Sequence, residues 1–240
     1  MRRYYYDLHI HSCLSPCGDD DSTPYNIAGM AKISGLDIVA LTDHNTAKNC
    51  PAFFKACEQY GIIPIAGMEL TTSEDIHAVC LFESLEDALS FDEYVDKHRM
   101  KIKNREDIFG RQLILGEDDQ FLGKEEFLLS NATDISIEDA AKLVASFGGV
   151  CYPAHIDRDA NGIIAVLGTF PTPSDFSIYE LRDRENRERY EELYSLSQKT
   201  AIFSSDAHYL TDISDAENFF LLQESDSADK IRERLFELLR

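Results

Sequence analysis

The sequence has few basic residues and no long apolar run. Its 240 residues include 23 Lys and Arg against 44 Asp and Glu, a formal net charge of −21 at pH 7. So acidic a surface repels nucleic acids and anionic membranes, which argues against a protein that coats long nucleic acids. No stretch approaches the roughly 20 apolar residues needed to cross a bilayer, so we expect no membrane span. A small phosphate ester stays compatible with this charge, because bound divalent cations invert the local field.

The amino-terminal segment and the cysteines favour the cytoplasm. Residues 1–7 carry charge but no apolar core of the kind found in signal peptides, so we predict none. The six cysteines are scattered along a chain that is large enough to fold without disulfide bridges. We therefore expect free thiols and a cytoplasmic protein.

Short apolar runs alternate with longer amphipathic segments along the chain. The apolar runs predict strands at residues 4–9, 37–42, 62–69, 77–82, 149–155, 177–181, 201–205 and 218–223. The amphipathic segments predict helices at residues 24–34, 51–60, 85–105, 136–147, 187–198 and 228–239. Such alternation indicates one α/β domain over residues 1–240, with parallel strands in a barrel or a doubly wound sheet.

Residues 86–135 interrupt this alternation, and we predict that they form an insertion subdomain over one edge of the mouth. The segment contains a concentration of basic residues: Lys97, Arg99, Lys101, Lys103, Arg105 and Arg111. These side chains form either an exposed helix face with salt bridges, or a basic wall that holds a nucleotide or short oligonucleotide.

Six of the seven histidines lie in short blocks that also contain carboxylates. The residues concerned are His9, His11, His44, Glu69, His77, His155, Asp206 and His208. All except His77 fall where a predicted strand ends, and chemistry in β/α barrels sits at that edge. Imidazole and carboxylate together suit divalent transition metals. The blocks therefore predict a site for two or three divalent cations, and metal-dependent hydrolysis. Asp7 is expected to orient one of the imidazoles.

In kind and order these blocks resemble the PHP family, the polymerase and histidinol phosphatase domain. The resemblance implies a distorted seven-stranded β/α barrel with the metal site at the carboxyl ends of its strands. It also implies two or three cations of manganese, zinc or iron. The first would be held by His9, His11, Glu69 and Asp206, the second by Glu69, His77 and His155, and a third by His44 and His208.

One loop departs from the family pattern. The family commonly has Asp or His five or six residues after the second histidine, where this chain has Pro16 and Cys17. Cys17 would favour a softer cation such as zinc, whereas Asp19, Asp20 or Asp21 would suit manganese or iron. The sequence leaves the ligand that completes the third site open.

The resemblance implies hydrolysis of a phosphoester by a hydroxide that bridges two cations, with Glu69, Asp206 and His208 as catalytic residues. The substrate would be a small phosphorylated metabolite, a nucleotide or a short oligonucleotide. Arginine suits phosphate because it makes bidentate contacts, and Arg158 and Arg182 lie near predicted strand ends. Two alternatives stay open: an amidohydrolase-type metal hydrolase, and a non-catalytic PHP module that keeps its metals.

Overall fold

The computed structural model describes residues 1–172 and 174–240. The strands are β1 Arg2–Asp7, β2 Ile38–Leu41, β3 Ile63–Thr71, β4 His77–Phe82, β5 Leu113–Leu115, β6 Phe121–Lys124, β7 Gly149–Pro153, β8 Ile178–Leu181, β9 Thr200–Phe203 and β10 Phe219–Leu222. The α-helices are α1 Pro24–Ile33, α2 Cys50–Tyr60, α3 Leu85–His98, α4 Glu106–Phe109, α5 Ile137–Ser146, α6 Ile163–Leu167, α7 Arg187–Tyr194 and α8 Ala228–Leu239.

The main sheet has six strands in the order β10-β1-β2-β3-β4-β7. The prediction that its strands are all parallel is wrong. β1, β2 and β3 are parallel neighbours, but β4 is antiparallel to both β3 and β7, and β10 is antiparallel to β1. The reason lies in the connection between β3 and β4, which is a tight turn with no helix to carry the chain back.

The reversal of β4 explains the position of His77. As the first residue of β4, His77 pairs with Thr71 at the end of β3, and the neighbouring Ala78 pairs with Pro153 at the end of β7. A strand that starts where its neighbours finish presents its first side chain at the same edge as their last ones. His77 therefore lies with the other predicted ligands, although it begins its strand.

The predicted α/β class is confirmed, as a curled half-barrel sheet of six strands with helices packed on it. The predicted seven-stranded barrel is not present as one hydrogen-bonded sheet in the described residues. β8 and β9 form a separate parallel pair, and the described backbone pairing between the chain after β1 and the segment after β9 is an isolated bridge, Ile10 with Ala207. β8 and β9 have four residues each, which leaves few backbone groups to join them to the sheet.

Alternate residues of the strands supply two separate apolar cores. In β2, for example, Ile38 and Ala40 belong to the inner core, whereas Val39 and Leu41 face the helices. Ile178 of β8 and Ile202 of β9 also join the inner core, and α8 packs its apolar face against it. The short pair β8–β9 is thus held over the open side of the sheet by burial as well as by hydrogen bonds.

The helix predicted at residues 85–105 is shorter in the structure. α3 ends at His98, where Arg99 becomes extended and buries its guanidinium against Glu125, at 2.7 Å. β5 and β6 then form a small antiparallel sheet. Whether the segment at residues 86–135 is an insertion subdomain stays a prediction.

No helix among the described residues is long and apolar enough to span a bilayer. All six cysteines are free.

Most of the basic residues in the segment at residues 86–135 are paired with carboxylates. The pairs are Arg99 with Asp96 and Glu125, Lys101 with Asp96, Lys103 with Glu126, Arg105 with Asp107, and Arg111 with Asp20. Their charge is therefore locally balanced. The arrangement agrees with the salt-bridged surface and gives little support to a basic wall for nucleotides.

Candidate metal centre

The structure brings all eight predicted ligands to one edge of the sheet. His9 and His11 follow β1, His44 follows β2, Glu69 lies near the end of β3, His77 begins β4, His155 follows β7, and Asp206 and His208 follow β9. Six of the eight are buried, and His77 and His208 keep 12% and 21% of their side chains exposed. His98 lies elsewhere, stacked on Tyr94.

Glu69 is at the centre of this cluster, and each of its carboxylate oxygens faces a different set of imidazoles. Oε1 lies 2.9 Å from His77 Nδ1, 3.0 Å from His155 Nε2 and 3.3 Å from His9 Nε2. Oε1 therefore faces one histidine from the segment after β1, His9, and the two histidines next to β4 and β7, His77 and His155.

The second oxygen of Glu69 faces the loops that follow β1 and β2. Oε2 lies 3.0 Å from His44 Nδ1 and 3.4 Å from His11 Nε2. Because the two oxygens address separate groups of nitrogens, the carboxylate has the geometry of a bridge between two ions.

One group has the spacing of a tetrahedral site. His9 Nε2 and His11 Nε2 are 3.2 Å apart, and each lies 3.4–3.5 Å from Asp206 Oδ1 and 3.3–3.4 Å from an oxygen of Glu69. Ligands around a tetrahedral zinc, with bonds of about 2.0–2.1 Å, lie about 3.3 Å from one another. These four side chains therefore fit one cation of that size. Two further groups have donor atoms mutually within 4.8 Å: His44, Glu69 and His77, and His11, His44 and His208.

Unsatisfied polar atoms also favour a bound cation. His44 Nδ1, Glu69 Oε2, His77 Nδ1 and Asp206 Oδ1 are buried and make no hydrogen bond. His44 Nδ1 and Glu69 Oε2 lack one even though they are only 3.0 Å apart. A buried polar atom without a partner costs about 1–3 kcal/mol. Several at one point are expected where lone pairs converge on a metal, so these residues fit divalent cations.

The close approach of these imidazoles and carboxylates shifts their pKa values. Burial raises the pKa of Glu69, but His77, His9 and His44 outweigh burial and hold that pKa well below its usual range. Burial lowers the pKa of His9, yet Glu180, Glu69 and Asp206 raise it well above its usual value. Without metal, protonation of His9, His11 and His44, whose pKa values are all raised, therefore offsets the charge of the carboxylates.

Glu180 is a contributor that sequence analysis missed, and it takes the role we expected of Asp7. Glu180 Oε2 lies 2.9 Å from His9 Nδ1 and accepts a hydrogen bond from the backbone of His155 at 3.0 Å. Asp7 instead accepts hydrogen bonds from the backbone N–H groups of Ser205 and Ser214, and so ties β1 to the segment after β9. A charged residue between Tyr179 and Leu181 in an apolar strand was the available signal, because a buried charge needs a partner.

A chain of hydrogen bonds through Ser15 and Asp43 orients His11. Its Nδ1 lies 2.9 Å from the hydroxyl of Ser15, which donates to Asp43 Oδ1 at 2.7 Å. Asp43 also accepts from the backbone and hydroxyl of Ser12. Since Nδ1 is engaged, Nε2 of His11 is left to face Glu69 and Asp206. Neither serine was singled out from sequence, because hydroxyl residues in a loop carry little positional signal.

Two of the predicted ligands occupy strained backbone positions. His155 has a φ of 27° and Asp206 a φ of 53°, in the left-handed region that residues other than glycine rarely adopt. Such conformations cost about 1–3 kcal/mol and concentrate at functional sites. The hydrogen bond from the His155 backbone to Glu180 helps hold the first of them.

The loop after His11 places Cys17, and not the aspartates, beside the third group. Burial raises the pKa of the Cys17 thiol, but its contacts with His44 and His208 lower the pKa to about 5. Asp20 pairs with Arg111 at 2.7 Å, and Asp19 accepts from the backbone of Asp21. The acidic candidates are thus directed away from the histidines.

The two arginines proposed for substrate differ in position. Arg158 Nη1 lies 2.6 Å from Asp206 Oδ2, and 36% of its side chain is exposed at the edge of the cluster. Arg182 is exposed, and the contact that fixes it is its backbone N–H, which donates to Asp157. The structure therefore brings Arg158 to the centre and leaves Arg182 outside it.

Imidazoles and carboxylates gathered at the strand ends of a curled α/β sheet define an α/β protein with a candidate polynuclear metal centre. A family model, the PHP domain, matches residues 7–239. The chain belongs to the PHP domain family.

Individual relatives are more distant. An uncharacterized protein of Methanocaldococcus jannaschii is 34% identical over 100 residues, which cover 38% of this chain and 58% of that protein. The structure of a lesion-specific endonuclease from Pyrococcus furiosus matches with a TM-score of 0.65 and 17% identity, over 99% of this chain and 56% of that one. A protein of Bifidobacterium adolescentis assigned as a metal-dependent phosphoesterase matches with a TM-score of 0.57 and 18% identity, over 97% and 96% of the two chains. At such identities the structural likenesses concern the fold alone.

Metal affinity is expected to rise with pH. The pKa of His9 and that of His44 are raised in the metal-free protein, so their protonation stabilises the fold fully below about pH 6.5 and less as pH rises through the folded pKa. Higher pH both removes this stabilisation and frees the imidazoles for metal. The increase in Tm on adding zinc or manganese should therefore be larger at about pH 8.5 than at about pH 6.

Glu69→Gln tests the bridge in the same assay. It should lower cation affinity by more than about 100-fold, beyond the range typical of groups that only orient ligands. Glu58→Gln, at an exposed glutamate of α2, is the matched control. An unchanged Tm increase in Glu69→Gln would contradict the assignment of Glu69 as a shared ligand.

Proposed function

We propose that this protein is a metal-dependent hydrolase that cleaves a phosphoester with the help of two divalent cations bridged by Glu69. The observation that carries the proposal is the convergence of five imidazoles on the two oxygens of Glu69. His9, His77 and His155 face Oε1, and His11 and His44 face Oε2. A bridged pair about 3.5–4 Å apart is typical of hydrolases that act by in-line displacement.

Bound cations would supply Lewis acidity toward the phosphoryl oxygens and bring the pKa of water to about 7. The residues of the chain then hold the reacting groups. His9 and His11 present Nε2 to the centre because Glu180 and Ser15 engage their Nδ1 atoms. His208 Nδ1 donates to the backbone oxygen of Asp206 at 2.8 Å, so its Nε2 is left to hold a third cation or, where none is bound, to assist the departing oxygen.

A phosphoester is favoured over an amide substrate because of the residue in the proposed bridging position. That residue is the carboxylate of Glu69, whereas amidohydrolases that open with His-x-His often use a bridging lysine. A non-catalytic module is less favoured, because every proposed ligand is kept and buried unsatisfied atoms persist among them.

Charge points to a small substrate within this class. The net charge of −21 opposes long nucleic acids, and the basic residues at positions 99–111 are already paired with carboxylates. We infer a small phosphorylated metabolite, a nucleotide or a short oligonucleotide. The structural likeness to an endonuclease makes the oligonucleotide the second candidate to test.

Metal-free protein should hydrolyse an aryl phosphate monoester or diester only after manganese, zinc or iron is added. His155→Ala should lose this activity, because it removes a nitrogen 3.0 Å from Glu69. His98→Ala should keep it, since His98 lies outside the cluster and contacts Asp134. The ratio of the monoester to the diester hydrolysis rate then indicates which class of phosphoester is the substrate. No turnover with any metal, despite measured binding, would overturn the proposal in favour of an amide substrate or a non-catalytic module.

Arg158 is proposed to contact the substrate phosphate. Arg158→Ala should raise KM by about 10-fold or more with a smaller change in kcat, because a charge-assisted contact contributes roughly 1.5–3 kcal/mol. The matched substitution Arg182→Ala should have little effect, since that side chain lies away from the centre. An equal effect of both variants would place Arg182 at the phosphate after all.

A third cation would be held by His44 and His208 with Cys17. Because thiolate favours softer cations, zinc should bind this position more tightly than manganese. Cys17→Ser should remove one zinc from the bound stoichiometry, and the cobalt-loaded protein should lose its near-ultraviolet sulfur-to-metal absorption. Asp19→Asn is the control and should change neither measurement. Full zinc stoichiometry in Cys17→Ser would exclude the thiol as a ligand.

A further inference from the structure

Glu180 connects two parts of the centre that come from different strands. A single oxygen, Oε2, lies 2.9 Å from His9 Nδ1 and 3.0 Å from the backbone nitrogen of His155. His9 belongs to the proposed first cation and His155 to the proposed second. In addition, the backbone oxygen of Glu180 accepts from the N–H of Ile156, so this residue is attached to the segment after β7 by two hydrogen bonds.

The burial of Glu180 is costly unless positive charge lies close by. The residue is fully buried, and its second oxygen, Oε1, has no hydrogen-bond partner. A group that only anchored β8 to the sheet could be neutral and would avoid the cost of desolvating a carboxylate. A carboxylate that accepts from one nitrogen of an imidazole makes the other nitrogen more basic, and so a stronger ligand for a cation.

The two hydrogen bonds that Glu180 Oε2 accepts have different effects on His9 and His155. The contact with Nδ1 sets the ring orientation of His9 and leaves Nε2 facing Glu69 and Asp206. The contact with the backbone of His155 holds a φ of 27°, which directs Nε2 of that residue to within 3.0 Å of Glu69. Loss of the carboxylate would therefore disturb a ligand of each cation at once.

We infer that Glu180 is a positioning residue that couples the two proposed cation sites, although it contacts neither cation itself. This inference rests on the proposed metal centre but not on any particular substrate. It separates Glu180 from Ser15, whose hydroxyl contacts His11 and the backbone N–H of His44 but none of the ligands proposed for the second cation.

Calorimetric titration of metal-free protein with zinc tests this inference, with cobalt absorption spectra as a second readout. Glu180→Gln removes the charge, so both hydrogen bonds, which the amide oxygen can still accept, become weaker neutral ones. We expect both binding steps to weaken by about 10–100-fold, the range typical of groups that orient metal ligands. The cobalt bands of both sites should shift, which a purely structural role of Glu180 would not produce.

Two further variants keep the test decisive. Glu188→Gln changes an exposed glutamate of α7 and should leave titration and spectra unchanged. Ser15→Ala should leave the binding step of the second cation unchanged, because Ser15 contacts His11 and the backbone N–H of His44 and none of the ligands proposed for that cation. If Glu180→Gln weakens only one step, the coupling is wrong. If it lowers the metal-free Tm and leaves both affinities intact, Glu180 is a structural anchor. Because binding is measured directly, either result is independent of whether a phosphoester is cleaved.

Discussion

The structure depends on one constraint, the concentration of ionisable side chains around the buried carboxylate of Glu69. Five imidazoles lie within 3.4 Å of its two oxygens. Burying this cluster of ionisable side chains costs free energy unless each charged group lies next to one of opposite charge. In the metal-free protein, protonated histidines balance the carboxylates. Divalent cations would replace those protons, so metal binding, protonation and the stability of this edge of the sheet are parts of one equilibrium.

The rest of the fold brings these groups to one place. The parallel strands β1, β2 and β3 end at the edge that holds the cluster, and the reversed strand β4 begins there. The pair β8–β9 is too short to complete the sheet, so side chains carry out part of the connection. Asp7 joins β1 to the loop after β9, and Glu180 joins β8 to His9 and to the chain after β7. In the open part of the barrel, polar contacts near the site thus replace backbone pairing.

Residues 86–135 contact the loop that carries His44. The side chain of Asn45, directly after His44, donates to the backbone oxygens of Leu129 and Asn131 and accepts from Thr71. The loop that carries His44 is therefore braced by this segment. Since the basic residues of the segment are paired among its own acids and with Asp20, Arg158 is the cation that the described structure places against the cluster itself.

The sequence by itself determined the α/β class and the eight residues that gather at one edge, because strand ends and metal-type side chains are both local patterns. It could not determine strand direction, which depends on whether a connection is a turn or a helix that packs on the sheet. For that reason His77 looked misplaced until β4 proved to be antiparallel. Nor could it find Glu180, since its position at the centre depends on contacts between residues far apart in the chain. Only the tertiary structure decides which buried groups meet, because burial makes unpaired charges costly wherever they lie in the sequence.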